Sequence, residues 1–119
     1  MDYHSVLDTR ELFERLDNDH ELFHELVEIF QEDYPQQLSF IEEAIRNRNG
    51  AELRHWAHTL KGAVGNFCAH TAFNIAYKLE KCGENEDFSE AEKLYPEMVS
   101  EIQRVVDALN TLAEETITE

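Results

Sequence analysis

A chain of 119 residues is long enough for one domain, spanning 1–119, with a core that needs no disulfide or metal staple. Only four glycines and two prolines punctuate a composition of helix formers, which argues for an all-helical fold over a sandwich or barrel. The net charge of −16 argues against nucleic acid as a partner. The lack of a long apolar run or signal-peptide pattern argues against a membrane span or export, so a cytoplasmic protein is expected.

In chain order, Asp8 or Thr9 caps a short first helix carrying Leu12, Phe13 and Leu16. Asp17-Asn18-Asp19 then starts a long helix with Leu22, Leu26, Ile29, Phe30, Tyr34, Leu38, Ile41 and Ile45, its stripe widened by Phe23 and Val27. Because the period continues on both sides of Pro35, a bend is expected there and not a break, with Asn49-Gly50 as the stop. A third helix, from about Ala51 to Phe67, places Leu53, Trp56, Ala57, Leu60, Val64 and Phe67 on one side. The fourth, from about His70 to Cys82, uses Ala72, Ile75, Ala76, Leu79 and Cys82, with Gly83 as its C-terminal cap. Gly83 to Asp87 reads as a loop, and a last helix, bent or restarted at Pro96, carries Ala91, Leu94, Met98, Ile102, Val105, Leu109 and Leu112. These elements specify an antiparallel, up-down four-helix bundle with a short additional N-terminal helix. Cys68 and Cys82 have no C-x-x-C spacing, which fits two free thiols in a reducing compartment.

The stretch AHTLKGAVGNFCA, residues 57–69, carries the chemistry. At about 100° per residue, His58 lies roughly 150° from the centre of the third helix's apolar stripe and faces water. Arg54 and Lys61 fall on its flanks, and Ala51, Gly62, Gly65 and Ala69 lie above and below it. A glycine inside a helix costs roughly 1 kcal/mol against alanine, so Gly62 and Gly65 need a reason. Two are open: they clear the approach to one imidazole nitrogen, or they let a neighbouring helix pack closely. Charge adds a second feature. From Arg46 to Lys81, six cations stand against Glu52 and Glu80 in an otherwise acidic chain, either a mixed surface or a mildly basic docking face.

The run His58-x-x-Lys61-Gly62, with Gly65, Phe67 and Ala69 following, resembles the H-x-x-K-G signature of histidine phosphotransfer (HPt) domains, and the likeness extends from the short first helix through EIFQEDYPQQL to the last helix. The resemblance implies a four-helix bundle that relays a phosphoryl group between aspartates of response-regulator receiver domains. It makes His58 the phosphoacceptor, Lys61 the cation that favours the phosphoryl charge and Gly62 the residue that leaves room. Arg54, Gly65 and Ala69 are expected to border the docking partner. Cys68 departs from the family pattern, standing where glycine is usual, and is expected in the left-handed region. The partners implied are receiver domains or a hybrid sensor kinase, the Mg²⁺ belongs to the receiver, and a monomer without a cofactor is expected. No Gly-rich nucleotide loop is present, so no autonomous kinase activity is expected.

Other readings compete. HELFH, residues 20–24, has the H-E-x-x-H zinc spacing, but a third ligand is not evident and both histidines project to the polar side of their helix. The repeated HEL echoes the phosphoacceptor box of sensor kinases without its Arg-Thr-Pro continuation. A helical interaction module without phosphotransfer, and the phosphate-accepting domain of a chemotaxis-type kinase, are the alternatives to a relay protein.

Overall fold

The computed structural model describes residues 5–117, and all regular structure among them is helical. α1 spans Thr9–Arg15, α2 His20–Arg46, α3 Gly50–Gly65, α4 His70–Asn85 and α5 Phe88–Ile117. Short polar side chains start four of them. Asp8 Oδ1 accepts the Glu11 N–H at 3.0 Å, Asp19 the Leu22 N–H at 3.0 Å, Asn49 the Glu52 N–H at 3.1 Å and Asp87 the Glu90 N–H at 3.1 Å. Each bond satisfies an amide that the first turn leaves without a partner. Pro35 and Pro96 sit inside α2 and α5, and each helix runs through as one element.

α2 packs on α3, α3 on α4, α4 on α5, and α5 closes back on α2. The bundle measures 47 × 22 × 20 Å. Its centre is apolar: Leu53, Leu60 and Val64 of α3 meet Ala72, Ala76 and Leu79 of α4 and Met98, Ile102 and Leu109 of α5. Phe67 stands edge-on to Phe30 and Phe23, at centroid distances of 5.5 and 6.4 Å, and so ties the end of α3 to α2. The stripe of α2 is rotated from the sequence reading. Phe23 and Val27 are buried, while Leu22 and Ile29 are exposed at 38% and 54%.

The junctions correct the sequence reading most. None of the glycines has positive φ; Asp17, Asn18, Arg48, Cys68 and Glu86 take the left-handed turns, at φ of 54–57°. α2 stops at Arg46, so Asn49-Gly50 does not end it: Asn49 caps α3 and Gly50 is its first residue. Nor does Gly83 cap α4, which continues to Asn85 and ends on Glu86, leaving two residues of the expected loop as the connection. Gly50 and Gly83 are where α3 and α4 touch backbone to backbone. A Cβ on Gly83 would stand 2.5 Å from the Arg54 amide nitrogen, and one on Gly50 2.7 Å from the Gly83 carbonyl oxygen.

Candidate functional site

His58 emerges from the middle of α3 with 65% of its side chain exposed. Its Nδ1 lies 3.0 Å from Oε2 of Glu80, a carboxylate that α4 holds in the interface with α3 and that is only 7% exposed. The other oxygen, Oε1, is 2.7 Å from Lys61 Nζ. Lys61 is itself largely covered, at 17% exposure, with its ammonium 5.3 Å from the Tyr77 ring centre and 5.7 Å from that of Phe73. One buried acid thus bridges a histidine and a lysine that stand three residues apart on the facing helix.

Burial alone would push the Glu80 carboxyl up, but the hydrogen bonds and charges of Lys61 and His58 outweigh it and hold the group below the ordinary carboxylate value. Glu80 is therefore ionised near neutrality and can only accept. A carboxylate that only accepts assigns the shared proton to Nδ1, and the Nδ1–H tautomer of an imidazole carries its lone pair on Nε2. Gly62 is exposed one turn further along, and a Cβ placed there would meet nothing within 4 Å. Close packing against another helix does not explain that glycine.

The sequence supports the same assignment. Residues 25–113 match the sequence pattern of the Hpt domain family, which covers α3 and α4 entire. The chain belongs to the Hpt domain family. The crystal structure of histidine-containing phosphotransfer protein B (HptB) from Pseudomonas aeruginosa PAO1 is similar in fold, with a TM-score of 0.85 at 23% identity, over 92% of this chain and 96% of that one. Direct comparison with curated protein sequences found no match. Histidine phosphotransfer is the activity of an Hpt domain, and proteins of phosphorelays are its partners.

The other residues singled out in the sequence divide. Arg54 is exposed one turn before His58, and its backbone abuts Gly83. Gly65, unlike Gly62, is a packing glycine in this Hpt domain: a Cβ there would lie 3.3 Å from the Phe73 ring, and its carbonyl oxygen accepts a 3.3 Å hydrogen bond from Arg15. Ala69 is 0% exposed and offers no surface, because α4 begins beneath it. Cys68 takes φ 55° and is also packed, at 1% exposure; burial pushes its thiol up to about 11. Of the six cations between Arg46 and Lys81, Lys61, Arg46, Arg48 and Lys81 are paired with Glu80, Glu42, Glu92 and Glu84. Among the described residues, Arg54 and Lys78 remain outside ion pairs, so the basic face is small.

The H-E-x-x-H histidines part company. His24 Nε2 lies 2.7 Å from the Thr116 hydroxyl, and the His20 ring stands edge-on to Phe13 at 5.2 Å. Glu80 was the residue that sequence reasoning passed over. It lies on the stripe Ala72, Ala76, Glu80, Gly83 that α4 turns toward the core, and an acid at such a position requires a buried cation beside it.

Proposed function

We propose that His58 Nε2 is the phosphoacceptor of this Hpt domain and that Glu80 sets its tautomer. The free Nε2 attacks the phosphorus of a receiver's phospho-aspartate. The N–P bond forms as the P–O bond breaks, and the aspartate carboxylate leaves with the bonding pair. The imidazole gains positive charge in that step, and the Glu80 carboxylate on Nδ1 stabilises it; transfer to the next aspartate reverses the sequence. Lys61 acts first as the counter-ion of Glu80, and a phosphoryl group on His58 gives its ammonium a second anion to share. Gly62 leaves the in-line approach open, while Arg54 and the half-exposed Phe73 and Tyr77 border the docking face.

The Nδ1 to Glu80 contact beside an unobstructed Gly62 carries this reading. Receiver domains, alone or within a hybrid kinase, are the proposed donors and acceptors, with their own Mg²⁺, for a monomeric carrier in the cytoplasm. No helix of the described residues is long and apolar enough to cross a membrane. Incubation with a phosphorylated receiver tests the assignment. Acid-labile, base-stable label should appear on the wild type and be absent from His58→Gln; label on that variant would move the site, and no label on either protein would favour a plain interaction module.

A further inference from the structure

At the end of the bundle where α1 meets the start of α4, three side chains converge that phosphotransfer does not use. A ring nitrogen of His70, a carboxylate oxygen of Glu11 and one of Asp8 all lie within 4.8 Å of one another. Among the described residues this is the one group of three potential metal ligands, and it shares no residue with His58, Lys61 or Glu80. We propose that Asp8, Glu11 and His70 form a binding site for a divalent transition-metal ion of the zinc class.

The two carboxylates are each aimed by a further contact. The Glu11 N–H holds Asp8 Oδ1 at 3.0 Å, Arg15 holds Glu11 Oε2 at 3.1 Å, and that bond turns Oε1 to within 2.9 Å of His70 Nε2. Such outer contacts fix ligand orientation in metal sites. Asp8 is tied to the turn before α4 as well, because its N–H donates to the Cys68 carbonyl oxygen at 3.0 Å. Bonds of about 2.0–2.2 Å to nitrogen and oxygen place two ligands of one tetrahedral zinc ion about 3.3–3.6 Å apart. The 2.9 Å between Glu11 and His70 is already shorter than that, and a spread of up to 4.8 Å leaves the side chains about an ångström to close around an ion.

One imidazole with two carboxylates selects against other cations. Calcium and magnesium prefer all-oxygen sets with six or more ligands, whereas zinc accepts nitrogen and oxygen in a four-coordinate shell. Asp8 and His70 also line an open cleft of about 400 Å³, which gives an ion and its remaining water ligand access from solvent. A bound ion would link residues 59 positions apart and fasten α1 over the Cys68 turn. Binding to the native state alone raises the melting temperature by mass action.

The test is calorimetric titration of the tag-free full chain with ZnCl₂ and separately with CaCl₂, together with thermal melts. The wild type should bind one zinc ion and melt at a higher temperature with it, and calcium should bind at least tenfold more weakly. His70→Gln should weaken zinc binding at least tenfold. Asp8→Asn should do the same while keeping the cap of α1, since asparagine caps as well as aspartate. His20→Gln should bind as the wild type does. Absence of zinc binding at 100-fold molar excess, undiminished binding by His70→Gln and Asp8→Asn, or loss confined to His20→Gln would each overturn the proposal.

Discussion

The Glu80 carboxylate stands between His58 and Lys61, 3.0 Å from Nδ1 of one and 2.7 Å from Nζ of the other, and both cation-capable side chains come from the same face of α3. Replacing it with glutamine keeps an acceptor for Nδ1–H but removes the charge that offsets the developing imidazolium. Phosphotransfer by Glu80→Gln should slow by about tenfold, equivalent to about 1.4 kcal/mol of barrier. Single-turnover transfer from a phosphorylated receiver measures it. An unchanged rate would reduce Glu80 to a structural partner of Lys61.

The same pair makes stability depend on pH in a stated direction. Glu80 is held below its usual value of 4.5 in the native state, so it binds a proton less readily there than in the unfolded chain. Its contribution to stability is complete above that unfolded value and is lost as pH falls through the lower native one. Urea denaturation between pH 3 and pH 6 should show a steeper acid loss in the wild type than in Glu80→Gln. Parallel curves would mean that the ion pair contributes nothing measurable.

Gly62 and Gly83 should respond oppositely to a side chain. Gly62→Gln gains several tenths of a kcal/mol in helix propensity, and its Cβ meets nothing within 4 Å, so its melting temperature should hold or rise. Transfer should nevertheless fall steeply, since a misplacement of about 1 Å at the reacting atoms costs roughly a hundredfold. Gly83→Ala places a methyl 2.5 Å from the Arg54 amide nitrogen and should destabilise the fold by about 1–3 kcal/mol. Melts and transfer rates of the two variants together check this; a destabilised Gly62→Gln with full transfer per folded molecule would defeat the clearance argument.

Cys68 combines two opposed terms. The left-handed backbone, at φ 55°, costs a non-glycine residue about 1–2 kcal/mol, while the 1%-exposed side chain contributes about 1 kcal/mol through burial. Cys68→Gly should thus remain within about 1 kcal/mol of the wild type in chemical denaturation. A loss well beyond that would show that packing of the thiol dominates the turn.

Helix identity was legible because the apolar positions of α3, α4 and α5 recur at the helical period and are the residues found buried, with Trp56 and Ile75 partly so. The caps at Asp8 and Asp19 were legible for the same reason: short polar side chains precede those patterns. The glycines were not. A glycine beside a helix end looks the same in sequence whether it adopts a left-handed turn or lets two backbones touch, and Gly50 and Gly83 do the second. At the site, the exposure of His58 followed from position on one helix, while the open side of Gly62 was one of two readings that position left standing. Glu80 did not, because its meaning depends on α4 lying against α3, a relation between elements that no single helical period contains.

The open space beside Gly62 and the closed space at Gly83 also divide the molecule for anyone wishing to redesign its wiring. On the proposed docking face, Arg54 is the position open to exchange, whereas the half-exposed Phe73 and Tyr77 also cover the Lys61 ammonium. The Gly50 and Gly83 crossing allows no such freedom, because a Cβ on either glycine meets the backbone of the facing helix at 2.5–2.8 Å, one turn from Glu80. In the proposed relay, partner choice would therefore be written on ground that can be edited, and the reactivity of the histidine on ground that cannot.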